Sequence, residues 1–145
     1  MFLLSSTEEA VSEATKCWDA KLNCAESVLR GVCHAQRIGL PDAAKRMATP
    51  FGGGVGRSED LCGALAGGVM ALGASIGRVS PDEDRLRSYD AAGKLFTGFS
   101  VAGTRRRPLK TIGLEQGGLE AVVLLQVLRT KDGTACKGHG CGREG

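Results

Sequence analysis

The chain has 145 residues and a net charge of +3, with 42% hydrophobic, 24% charged and 4% aromatic residues. That length suits one domain, in which folding hides roughly two-thirds of the chain's surface and needs no cross-links. The positive excess sits in one run, Arg105-Arg106-Arg107, with no aromatics interleaved, which argues against a nucleic-acid partner.

The opening Met1-Phe2-Leu3-Leu4 lacks a basic n-region, an adequate apolar run and a small-residue cleavage site, so no secretory leader is expected. The longest uncharged stretch, Leu61 to Gly77, reaches only ~25 Å as a helix and is too short for a membrane span of ~30 Å. Six cysteines without an export signal point to the cytoplasm, where thiols stay reduced. They are then core residues, metal ligands or redox-active thiols.

Ser6 or Thr7, followed by Glu8 and Glu9, predicts the start of a first helix that runs to about Lys21. Val11, Ala14, Trp18 and Leu22 share one face of it. Asn23 with Glu26 forms a capping pattern that predicts a second helix from Cys24, with a Cys24, Val28, Val32, Ala35 stripe and an end at Gly39. Pro41 starts a short third helix to about Ala48. The stretch Pro50 to Gly56 then reads as a flexible glycine-rich loop. Ser58, with Glu59 and Asp60 behind it, caps a central fourth helix. That helix has an apolar side (Leu61, Leu65, Val69, Leu72, Ile76) and a small-residue side (Gly63, Gly67, Ala71, Ala74) open to close approach by another backbone.

Ser80-Pro81-Asp82-Glu83 predicts a fifth helix through about Ser100, with Leu86, Tyr89, Phe96 and Phe99 facing inward. Leu119 to Leu128 is very apolar and reads as a helix, since no second strand exists to pair with it. The expectation is an all-α fold: a compact bundle of about five or six helices with a glycine-rich loop before the central helix. Residues 1–132 form the single helical domain, and residues 133–145 form a Cys/His/Gly-rich tail.

The glycine loop is not a phosphate cradle. Gly52-Gly53-Gly54-Val55-Gly56-Arg57-Ser58 follows a helix and fits neither the P-loop nor the dinucleotide fingerprint. Cys24 and Cys62 are the stronger signal, because each falls at the start of a predicted helix. Unpaired amides there favour negative charge, which makes a thiol a better nucleophile or metal ligand. Glu59 and Asp60 oppose this at Cys62. The alternative is that both are small core residues.

Asn23 to Leu29, Phe51 to Gly56 and Cys62 to Gly73 together resemble the redox-active protein family named for its C_GCAxxG_C_C cysteine pattern. The recognisable order runs over about residues 10 to 100, with Phe96 to Phe99 similar to the family's next aromatic segment. The resemblance implies a mostly helical domain with four characteristic cysteines and a redox role. Carried over, Cys24 and Cys62 match the first two cysteines and Cys136 the last. Where the third should follow, the chain reads Gly103-Thr104-Arg105-Arg106-Arg107-Pro108-Leu109, so Cys141 or another cysteine has to substitute. A related domain accompanies a multihaem cytochrome, but this chain has no C-x-x-C-H and no covalent haem is expected.

Cys136-Lys137-Gly138-His139-Gly140-Cys141 offers two thiols and an imidazole within one short stretch, a donor set suited to zinc or iron. The expected function is therefore a redox-active cysteine protein with a thiol–disulfide or electron-transfer role and a redox partner protein. In this reading Cys24 and Cys62 are the catalytic thiols. As a metal site, Cys24, Cys62, Cys136, His139 and Cys141 would hold zinc, iron or an iron–sulfur cluster. Cys17 and Cys33 read as packing residues and His34 as a surface residue. The alternative is a non-catalytic helical module with structural cysteines. It would self-associate into a homodimer or bind a partner through the Gly63/Gly67/Ala71 face or an apolar terminal helix.

Overall fold

The computed structural model describes residues 2–58 and 60–104, with side chains for 8–58 and 60–97. Among these residues there are five α-helices and no strand: α1 (Phe2–Asp19), α2 (Cys24–Ala35), α3 (Asp42–Ala48), α4 (Gly63–Ile76) and α5 (Leu86–Thr104). A 3₁₀ turn, Thr49–Phe51, follows α3 directly. The all-α expectation holds. No helix among the described residues is long and apolar enough to cross a membrane.

The first helix begins at Phe2, ahead of the expected Ser6, and ends at Asp19 rather than Lys21. Its terminator is a Schellman motif. Lys21 takes a left-handed φ of 70°, its amide donates to Trp18 O at 2.9 Å, and the Leu22 amide donates to Cys17 O at 3.1 Å. Helix α2 ends the same way. Arg37, at φ 59°, donates to His34 O at 3.1 Å, and Ile38 donates to Cys33 O at 2.9 Å. The stop therefore lies at Ala35 and not at Gly39. A basic residue holds the left-handed position in both motifs, where the helix dipole favours positive charge. Pro41 is the N-cap of α3 rather than its first residue.

The core is made where α1 and α4 pack on either side of α2. Ala10 and Ala14 of α1 lie on Gly31 of α2, where a Cβ would come within 2.6 Å of Ala10 O and 2.7 Å of the Ala14 Cβ. Val11 and Trp18 pack half-buried against the same cluster, as the first-helix stripe requires. On the other side of α2, Gly67 of α4 meets Ala25, where a Cβ would stand 2.5 Å from the Ala25 carbonyl oxygen. Leu29, Val28, Val32, Leu65, Leu72 and Leu95 fill the space between the helices.

This packing corrects two expectations about faces. Gly63, Gly67 and Ala71 are buried, and the two glycines lie against α2, so that face is not available for self-association. On α5 the inward residues are Leu95, which is fully buried, and the half-buried Ala91 and Ala92. Leu86, Tyr89 and Phe96 are exposed instead; Phe99's side chain lies outside the described residues. Small residues on the packed face of α5 let its axis come close to the bundle, and bulky ones would hold it away.

Two capping expectations also change. Ser58 does not open α4; its hydroxyl donates to Val55 O at 2.6 Å, and the helix starts after Cys62. Ser80 to Glu83 forms a turn in which the Glu83 carboxylate accepts from the Ser80 amide at 3.2 Å, and α5 begins later at Leu86. Between the 3₁₀ turn and α4, five successive residues have positive φ: Gly53 64°, Gly54 74°, Val55 63°, Gly56 59° and Arg57 66°. Amides of Val55, Gly56 and Arg57 donate back to Phe51, Pro50 and Gly52, so the expected flexible loop is a hydrogen-bonded, left-handed turn. The Leu119–Leu128 segment, the 133–145 tail and the end of the 1–132 domain lie outside the described residues.

Cys17 and Cys33 are buried free thiols, as packing residues should be. Burial pushes Cys33 up from 9.0 to about 11. Burial, reinforced by the nearby Glu13 carboxylate, also raises Cys17. His34 is exposed, with Nε2 3.3 Å from Glu9 Oε1, and Arg37 reaches the same carboxylate and lowers its pKa. A thiol whose folded pKa exceeds its unfolded value stabilises the fold fully below about pH 9 and loses that contribution as pH rises through the folded value. Urea titrations of the reduced protein are expected to show stability falling between about pH 9 and 11, by up to ~1.4 kcal/mol per pH unit for one such group. In Cys33→Ala the slope should be visibly shallower; an unchanged slope would show that Cys33 is not its source.

Candidate functional site

The N-terminus of α2 is fixed from several directions. The Asn23 side chain accepts from the Glu26 amide at 3.0 Å, and the Glu26 carboxylate accepts from the Asn23 amide at 2.8 Å. This is the reciprocal capping box that the sequence pattern predicts. Its two side chains also reach across the fold. Asn23 Nδ2 donates to Thr49 O at 3.0 Å, and the Thr49 hydroxyl donates to Glu26 Oε1 at 2.6 Å. The cap therefore ties the start of α2 to the 3₁₀ turn leading into the left-handed segment. Gly52 is required there, because a Cβ would lie 2.6 Å from Asn23 Nδ2.

Cys24 is the first residue of α2, inside the turn whose free amides favour negative charge. Cys62 is the N-cap of α4, with φ −58° and ψ 124°. It stands one position before the helix and not in its first turn, so Asp60 is not a first-turn acid of α4; Glu59 lies outside the described residues. The two helix starts meet. A Cβ on Gly63, the residue after Cys62, would come within 2.5 Å of Cys24 Sγ and 2.7 Å of the Phe51 carbonyl oxygen. Both cysteines belong to the same apolar cluster and are nearly closed to solvent, Cys24 at 4% and Cys62 at 6% exposed.

The arrangement thus brings Cys24 to the first residue of the helix that Cys62 caps. The 3₁₀ turn closes this junction from a third direction, with Phe51 O beside Gly63 and Thr49 bonded to Asn23 and Glu26. Sequence reasoning missed the anchoring role of Thr49 and the steric roles of Gly52 and Gly63. The Asn23/Glu26 spacing signals the cap itself, but nothing local marks Thr49 as its third member, 23 positions after Glu26. Among the described residues no group of three or more His, Cys, Asp or Glu side chains is placed to hold a metal ion. Cys136, His139 and Cys141 lie outside the described residues.

Gly63→Ala should lower stability by about 1–3 kcal/mol, since the added methyl meets a sulfur and a backbone carbonyl that have little room to move. Asn23→Ala should remove about 1 kcal/mol for the cap alone. In chemical denaturation both midpoints are expected to fall. A Gly63→Ala protein as stable as the parent would contradict the close contact between the two helix starts.

No curated protein and no solved structure matches the chain. A family described as "Putative redox-active protein (C_GCAxxG_C_C)" matches residues 22–142. That span starts later than the 10–100 region of evident resemblance and runs far beyond it, through the arginine run and the C-terminal cysteines. It takes in Cys24, Cys62, Cys136, His139 and Cys141 and leaves out Cys17, one of the two cysteines that read as packing residues. The gap at the family's third cysteine persists, because no cysteine occurs between Cys62 and Cys136. With the match covering most of its length and both helix-start cysteines, the chain belongs to the C_GCAxxG_C_C redox-active protein family.

Proposed function

We propose that the chain is a redox-active thiol protein whose exchanging pair is Cys24 and Cys62. The observation that carries this reading is the packing of Cys24 Sγ against Gly63, next in sequence to Cys62, at the junction of two helix starts. Family membership supports the redox character. Cys24 is the attacking sulfur, since it occupies the first turn of α2, where charge is best supported.

The chemistry is two-step exchange with a disulfide-bearing partner protein. The Cys24 thiolate attacks one partner sulfur, forming a mixed disulfide and expelling the partner's other sulfur as a thiolate. The Cys62 thiolate then attacks the Cys24 sulfur, closing the Cys24–Cys62 bond and releasing the second partner thiolate. Two electrons pass to the partner, and the protons of the two cysteine thiols end on the partner's thiols. Because both sulfurs are almost closed to solvent, part of the structure around the junction must open for a partner to reach Cys24. A reducing cytoplasmic setting suits thiols that must be returned to the reduced state.

A second reading has the same sulfurs bind a metal. It is favoured by the family match continuing to residue 142, past Cys136, His139 and Cys141. Cys24 and Cys62 would supply two ligands, and the C-terminal donors would complete a site for zinc, iron or an iron–sulfur cluster.

Protein purified without air separates the two by metal analysis and a thiol count before and after treatment with a small disulfide oxidant. The exchange reading expects a reversible loss of two thiols and no bound metal. In that reading Cys62→Ser should stall as a mixed disulfide on Cys24, while Cys33→Ser behaves as the parent. Stoichiometric metal that is lost in Cys136→Ser would select the metal reading. Identical behaviour of Cys62→Ser and Cys33→Ser would overturn both.

A further inference from the structure

Helix α5 has three sectors. At about 100° per residue, Ser88, Ala91, Ala92 and Leu95 point one way and carry its packed face. Arg87, Asp90, Lys94 and Thr97 occupy the opposite, wet side. Between them, on one edge of the packed face, Leu86, Tyr89 and Phe96 fall within an arc of roughly 80°. They form an unbroken apolar strip, 60%, 63% and 55% exposed respectively. Gly93 lies in the same arc, and a Cβ there would touch nothing. The Arg85 guanidinium stands 5.8 Å from the centroid of the Tyr89 ring, which leaves the other ring face for a neighbour. Together with the packed face, this strip gives α5 an apolar arc wider than the described helices cover.

We propose that this strip is the docking surface for Leu119–Leu128 of the same chain. Ten residues there include eight apolar ones, with Glu120 and Gln126 the exceptions. That segment needs an apolar partner as much as the strip does. Fourteen residues, 105–118, separate it from the end of α5. They can span up to about 46–50 Å when extended, whereas the 19 residues of α5 measure only ~28 Å. The connection is therefore long enough to return the segment to any part of the strip. The family match runs through this segment without leaving the chain, as expected if it belongs to the same domain.

A second copy of the chain is the weaker occupant on grounds of area. Three side chains of 150–250 Å² each, little more than half exposed, offer on the order of 350 Å². A stable dimer needs ~800 Å² from each partner. A tethered segment can use so small a surface, because its effective concentration is already high. The proposal does not depend on which chemistry the thiols perform.

The chain has a single tyrosine, so the test is direct. In the full-length reduced protein, nuclear Overhauser contacts from the Tyr89 ring are measured to methyl groups assigned by single substitutions within 119–128. Cross-peaks to several Leu or Val methyls of that segment, unchanged on about tenfold dilution, are the expected result. Val123→Asp together with Leu124→Asp should abolish them while signals of the Trp18 ring, on the far side of α2, stay in place. Contacts that appear only between labelled and unlabelled copies in a mixed sample would overturn the proposal in favour of a dimer. A Tyr89 ring with no contact to residues 119–128 would overturn it outright.

Discussion

The missing side chain at Gly63 and Gly67 is the constraint on which the rest of this molecule depends. With no Cβ at either position, α4 lies backbone-close against the start of α2, touching Ala25 and the sulfur of Cys24. Gly31 does the same for α1 on the opposite flank. A core with 4% aromatic residues has few large side chains with which to fill wide gaps. The helices are instead drawn together until short side chains suffice, and interior packing is tight enough that one added methylene is felt. The glycine content that lowers intrinsic helix propensity is also what makes this packing achievable.

That closeness explains why the thiols sit where they do. A helix start favours charge on a sulfur, and here two such starts are pressed together beside the 3₁₀ turn. Cys24 and Cys62 are consequently held in a shared pocket of structure and not displayed on a surface. The hydrogen bonds of Thr49 with Asn23 and Glu26 tie the 3₁₀ turn to the start of α2. Cys33, deep between helices and raised by burial, shows the contrasting state: a sulfur kept protonated and out of reach.

Much of this was legible in the residues. Asn23 with Glu26 marked the start of α2 to the residue, because a capping box is local chemistry that needs no knowledge of the fold. The small-residue side of α4 was equally plain, although its partner is α2 and not another molecule. Faces were harder. On α5, bulk suggested that Leu86, Tyr89 and Phe96 point inward, whereas the core takes Ala91, Ala92 and Leu95. That choice depends on the neighbour's shape, which no periodicity within α5 encodes. Helix ends were missed for a related reason: Lys21 and Arg37 adopt a conformation usually left to glycine, so Gly39 looked like the stop. Ser58 resembled a cap, but its hydroxyl is committed to the carbonyl of Val55.

The mirror-handed turn between the 3₁₀ turn and α4 is costly in itself. Left-handed geometry disfavours an ordinary side chain by roughly 1–2 kcal/mol, and β-branched Val55 is among the worst suited to it. Five such residues stand in succession, and three of them, Val55, Gly56 and Arg57, are bonded back to Phe51, Pro50 and Gly52, so unwinding any part of the turn strains the bonds of the rest. The steric cost of Val55 and Arg57 is therefore carried by the turn as a whole, and the back-bonds that hold it stand or fall together.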